Sequence, residues 1–179
     1  NVPLPDPGDE TVPIPTDPPT PVETSGVLFG YSANSHSDLM SSISAGMGTP
    51  AVWRHFLDDN ISSTTAWDSG IPLNISFKPD ISQPVSTWSG NLETLLRREG
   101  NASGQITYVT VWHEPENDLG KSTMGSAANY RRALNETTRI CRKLTAENSG
   151  GKFYSVPILM DYTLQPSSGR DVNDWIDPS

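Results

Sequence analysis

"YVTVWHEPEND", residues 108–118, is a run of β-branched and aromatic residues that ends on a Trp, a His and a Glu in front of a proline. Tyr, Val and Thr suit a pleated, half-buried surface, so the stretch predicts a buried strand over 105–113 that delivers His113 and Glu114 at its carboxyl end. Pro115 disfavours the helical region for the residue before it, which predicts an extended Glu114. A carboxylate held in that way has the fixed direction that general acid catalysis needs. Glu116 and Asp118 read as loop acids before the next helix, where they suit the positive end of its dipole.

Working outward, strand-like and helix-like segments alternate. "GVLFGYSA" (26–33), "PAVWRHFLD" (50–58), "PLNISFK" (72–78) and "KFYSVPILMDY" (152–162) read as further strands. Helices are predicted over 37–46, with Ser37 as N-cap and Gly46 as stop, and over 90–100, ended by Gly100. A third is predicted over about 125–147, where Tyr130, Ala133, Leu134, Thr137, Cys141 and Leu144 recur at helical spacing. This alternation implies βαβ units and an α/β fold with a parallel sheet covered by helices.

Two architectures fit. A doubly wound open sheet needs about five strands, and a (β/α)8 barrel needs about 250 residues. Residues 26–179 supply five strand patterns, so length alone favours the open sheet or an incomplete barrel.

Residues 1–25 differ from the rest. They hold eight of the 16 prolines and five acids with no Lys or Arg, which predicts an extended, Pro-rich acidic linker. The formal net charge of −9 argues against nucleic acid and anionic lipid as partners. No stretch approaches the roughly 18 apolar residues of a membrane span. Cys141 is the one cysteine, so no disulfide framework and no CxxC metal site is expected.

In parallel α/β folds, working residues gather where strands end and loops converge. Each predicted strand here ends in polar residues: Ser32, Asn34 and His36, then Asp58 and Asp59, then Lys78 and Asp80, then His113 and Glu114, then Asp161 and Tyr162. There is no phosphate-binding GxxxxGK[ST] loop, no GxGxxG, no GxSxG elbow and no HExxH. The three histidines show no metal-ligand spacing, so no metal and no cofactor is expected. Trp53, Trp67, Trp88 and Trp175 read either as core or as sugar-stacking platforms, with core the commoner role. The sequons at Asn60, Asn74, Asn101 and Asn135 carry little weight in so Ser- and Thr-rich a chain.

The strand that ends in "HEP" resembles the retaining glycoside hydrolases of clan A, above all family 26, the mannanase-like group. "FLDD" after the second strand, "ISFKPD" at the third, "AANYRRAL" in the helix after the fourth and "ILMDYTLQPSSGRDVNDW" after the fifth extend the likeness over about residues 26–179. The set is similar to glycosidase-like domains of actinobacterial secreted proteins and of phage tail proteins. The resemblance implies a parallel (β/α) barrel, incomplete at about five βα units, and an extracellular or virion-surface location.

It also implies roles. Glu114 matches the family's general acid/base, and His113 the residue that orients the acid/base and the substrate. Trp112 lies in the same motif. Trp112, Lys78, Asp58, Asp161 and Tyr162 become candidate substrate contacts at the strand ends. The retaining reaction needs a second carboxylate about 5–5.5 Å from the first. The family places this nucleophile after strand seven, and the residues given end after strand five. Asp161 and Asp58 are carboxylates at strand ends, but neither holds the family's nucleophile position. The implied partner is a polysaccharide or cell-envelope glycan, met either by a hydrolase completed by residues beyond these or by a non-catalytic module that sits among other subunits of a surface or tail assembly.

Overall fold

The computed structural model describes residues 30–33, 35–57, 61, 71–99, 106–147 and 151–176. The linker expected over 1–25 lies outside them, as do Asn34, Asp58, Asp59, Asn60, Trp67 and Asn101. The described residues form an α/β fold. Five strands, β1 (Gly30–Ser32), β2 (Val52–Phe56), β3 (Leu73–Phe77), β4 (Ile106–Val111) and β5 (Lys152–Ser155), make one sheet in which every neighbouring pair is parallel.

The strand order is β1-β2-β3-β4-β5, so neighbours in space are neighbours in sequence. A doubly wound sheet reverses direction at a switch point, and these strands have none. Parallel crossovers are right-handed in nearly all proteins, so an unreversed order puts the intervening helices on one face. These helices are α1 (His36–Ser42), α2 (Ser89–Glu99) and α3 (Ala127–Ala146).

The register assigns side chains to the two faces. Trp53 and His55 of β2 align with Leu73 and Ile75 of β3, and these with Thr107 and Val109 of β4. This face is buried against Leu92, Leu95 and Leu96 of α2 and Tyr130, Ala133, Ile140, Cys141 and Leu144 of α3, which make the core. Trp88 packs on Phe77 with ring centroids 6.0 Å apart, and Trp175 meets Tyr130 edge-on at 5.9 Å. Trp53, Trp88 and Trp175 are all buried, and so belong to the core rather than to a sugar platform.

The other face carries Gly30, Val52, Arg54, Phe56, Asn74, Ser76, Tyr108, Thr110 and Tyr154 in register. None of the three helices supplies its cover, and its residues alternate with the core residues along each strand. The sequon at Asn74 falls on this face in mid-strand, a poor place for a glycan.

Several element bounds differ from the sequence expectations for local reasons. Helix α1 starts earlier, because Ser35 rather than Ser37 caps it: the Ser35 hydroxyl accepts from the Asp38 N–H at 3.1 Å. Strand β5 stops at Ser155 instead of running to 162, since Pro157 has no N–H for a ladder. Strand β4 stops at Val111 instead of 113, and the cause lies in the turn that follows.

Candidate functional site

Beyond Val111 the chain kinks sharply. Trp112 has φ 47° and Glu114 has φ 54°, ψ 52°, both in the left-handed region. The expected extended Glu114 is therefore corrected. Pro115 does keep the residue before it out of the right-handed helix, yet here the outcome is left-handed, and Pro115 opens a short 3-10 turn, Pro115–Asp118. For residues other than Gly this conformation costs about 1–2 kcal/mol each, so neighbours must enforce it.

The enforcing bonds are in place. The Trp112 N–H donates to Phe77 O at 2.8 Å, its indole N–H donates to Pro79 O at 2.7 Å, and the Glu114 N–H donates to Ile158 O at 2.7 Å. The Asn117 N–H returns to Glu114 O at 3.1 Å, and its side-chain amide reaches Glu114 Oε2 at 3.3 Å. The strain thus aims two side chains, His113 and Glu114, at the carboxyl end of the sheet.

His113 sits over this second face, on which Ser76 and Thr110 are buried. Its ring meets Phe56 edge-on at 5.2 Å, and Nδ1 lies 2.8 Å from Ser76 Oγ. Arg54 donates from Nη2 to the same Ser76 Oγ at 3.2 Å, and its guanidinium lies 4.7 Å from the centroid of Phe56. The Ser76 oxygen accepts from Arg54 and keeps a second lone pair as well as its own proton, so its hydrogen bond with Nδ1 suits either neutral tautomer of His113; where Ser76 is the donor, the ring hydrogen is on Nε2.

Electrostatics keep the ring neutral. Burial first, then the Lys78 and Arg54 cations, push the His113 pKa down to about 4, against an opposite pull from Asp118. Arg54 itself is shifted down by burial, and Glu114 acts on it in the other direction.

Lys78 follows β3 directly and is committed to Asp118, Nζ to Oδ2 at 2.5 Å, with its ammonium 5.1 Å from the Trp112 ring centroid. Asp118 is buried and also takes Lys121. Burial alone raises the Asp118 pKa, but hydrogen bonds from Lys121 and Lys78 outweigh it and hold the carboxyl below its ordinary range. Glu116 is buried too, and its Oε1 accepts from the Met160 N–H at 3.1 Å. These two acids are therefore internal ties, not the solvated loop acids expected.

Of the candidate residues, Glu114, His113, Trp112 and Lys78 are brought together, with Trp112 buried beneath Lys78. Asp161 is exposed in the short helical turn Asp161–Leu164 that follows β5, and Tyr162 belongs to the same turn. Asp58 lies outside the described residues. Arg54 and Ser76 were missed. The signal was present in "LNISF" and "VWRHF", where polar residues alternate with apolar ones and so mark a second face. Among the described residues no group of three or more His, Cys, Asp or Glu could hold a metal ion, and no helix is long and apolar enough to cross a membrane. The chain matches neither a model of a known protein family nor a curated protein.

Proposed function

We propose that the chain is a glycan-directed domain built as part of a (β/α) barrel, with Glu114 as the general acid/base of a retaining glycosidase-like site. The observation that carries the reading is the strained turn after β4, where two left-handed residues hold His113 and Glu114 at the carboxyl end of a parallel strand. Backbone strain of this kind persists where function requires a particular side-chain direction. The unreversed strand order supports the barrel, because it is the order in which a barrel is wound.

The roles are those that the resemblance implies, and the geometry is compatible with them. The Glu114 carboxyl would give a proton to the leaving oxygen and later take one from water. His113, neutral, would donate to a sugar hydroxyl from Nε2 in the tautomer in which Ser76 donates to Nδ1, rather than compete for the proton. Ser76 holds the ring, and Arg54 holds Ser76. The second carboxylate that turnover requires stands, in the resembled family, after a seventh strand, beyond the five described strands. An extracellular or virion-surface setting, where cell-envelope glycan is met, belongs to the same reading.

The test is to incubate the full-length protein, including the residues that follow these five strands, with actinobacterial arabinan, galactan and mannan, measuring reducing ends released and polysaccharide retained in affinity gels. The expected result is turnover that falls by at least about 100-fold in Glu114→Gln, the usual scale of a lost acid/base, with retention unchanged. Retention without turnover in the unmodified chain would replace the hydrolase with a non-catalytic glycan-binding module. Neither retention nor turnover on any glycan would reject the reading.

A further inference from the structure

Arg54 lies on the second face of the sheet, and its guanidinium stays protonated at any ordinary pH. One nitrogen donates to Ser76 and the group packs on Phe56, but Nε is buried with no hydrogen-bond partner. Among the described residues no carboxylate forms an ion pair with it. Glu114 acts on it only from beyond ion-pair distance, and burial outweighs that help. A half-buried cation with an unused donor is a group awaiting an anion.

The surroundings narrow the anion. Asn74, beside Arg54 in register, also has a buried unpartnered atom, Oδ1. Both residues line one concavity of about 710 Å³, whose other walls include Tyr108, Val52, Val156 and Ile158. That volume lies within the roughly 300–1,000 Å³ of pockets that enclose small ligands. A matching ligand has a flat two-oxygen anion for the guanidinium fork, a hydroxyl for Asn74, and an apolar face for Tyr108 and the aliphatic wall. A pyranuronate ring has all three.

We propose that this concavity is a subsite for an acidic sugar, a uronate whose carboxylate is taken by Arg54 and whose ring lies on Tyr108. The proposal rests on the glycan reading and gives that glycan its charge. The chain's formal net charge of −9 repels such a ligand at long range, so contact in the concavity must supply the preference.

Isothermal titration of the whole chain with digalacturonate and with galactobiose tests it. Digalacturonate is expected to bind at least about tenfold more tightly, the scale of a charge-assisted hydrogen bond. Arg54→Gln should bring the ratio of the two affinities to about one, whatever it does to galactobiose binding through Ser76 and His113, with circular dichroism reporting the fold. If Arg54→Gln does not fold, Arg54→Lys carries the test, because it keeps the charge and loses the fork: the ratio of its uronate affinity to its galactobiose affinity should fall. Equal affinity for the two sugars overturns the uronate subsite and leaves the glycan reading standing. Arg54-dependent binding of succinate with no affinity for either sugar overturns both.

Discussion

The backbone N–H of Glu114 donates to the carbonyl oxygen of Ile158 at 2.7 Å, so the turn leaving β4 is fastened to the segment leaving β5. A second tie runs the other way, from the Met160 N–H to Glu116 Oε1 at 3.1 Å. Two neighbouring strand ends are thereby locked to each other, and the left-handed Glu114 between the ties has no freedom to relax into an extended form.

This geometry reverses a usual mutational ranking. Glycine ordinarily destabilises relative to alanine, but at φ 54° it alone escapes the Cβ clash. Glu114→Gly is expected to be more stable than Glu114→Ala by about 1 kcal/mol, the scale of the left-handed penalty. Urea unfolding of the two variants measures it, and an alanine variant as stable as the glycine one would mean that the left-handed turn is absent.

Acid should weaken the fold through His113. Its pKa lies near 4 in the folded chain, against an ordinary value of 6.5, so the unfolded chain binds the proton first. Between about pH 6.5 and pH 4 the unfolded state holds more protons than the native state, and stability falls as pH falls. His55, lowered by burial against the pull of the Ala33 carbonyl, acts in the same direction. Comparison with His113→Gln isolates the first contribution: the urea midpoint of that variant should lose less between pH 7 and pH 4.5. Parallel losses in the two proteins would contradict the shift.

Asp118 holds Lys78 in place under the site. Replacing it with Asn leaves the Lys78 ammonium, whose side chain is 30% exposed, without its carboxylate. Destabilisation of about 1–3 kcal/mol is expected, with the Lys121 pair adding little because that lysine is mostly solvated. The Asp118 pKa is depressed, so the pair stabilises above the ordinary value near 3.8 and is lost as pH drops below it. The Asn variant should accordingly differ from the parent at pH 6 and converge on it near pH 2.

Much of the fold was legible because burial writes itself into the strands. "LNISF" alternates Leu73, Ile75 and Phe77 with Asn74 and Ser76, and the structure puts the first set against the helices and the second on the opposite face. The α3 helix was legible for the same reason, since Tyr130, Ala133, Leu134, Thr137, Cys141 and Leu144 all lie on its buried side. The turn at 112–114 was not legible. Its left-handed residues are held by bonds to Phe77, Pro79 and Ile158, partners 33 to 44 positions distant, and local preference carries no trace of them. Glu116 and Asp118 misled for a related reason: an acid near a helix start looks solvated unless its distant cation or amide is known.

The arrangement of Arg54, Ser76 and His113 makes the most specific prediction. Arg54 donates to the Ser76 oxygen, Ser76 is hydrogen-bonded to His113 Nδ1, and a Ser76 proton given to Nδ1 leaves the ring hydrogen on Nε2. Nitrogen chemical shifts of His113 should therefore report the Nε2–H tautomer at neutral pH. In Ser76→Ala the Nδ1 atom loses its donor, and the shifts should move towards a mixture of tautomers while burial and the Lys78 and Arg54 charges still keep the ring neutral. The stability cost should be about 1 kcal/mol, that of one hydrogen bond lost with its partner left half-buried. A variant whose His113 shifts match those of the parent would show that Ser76 does not set the tautomer, and the donor role of Nε2 would then need another cause.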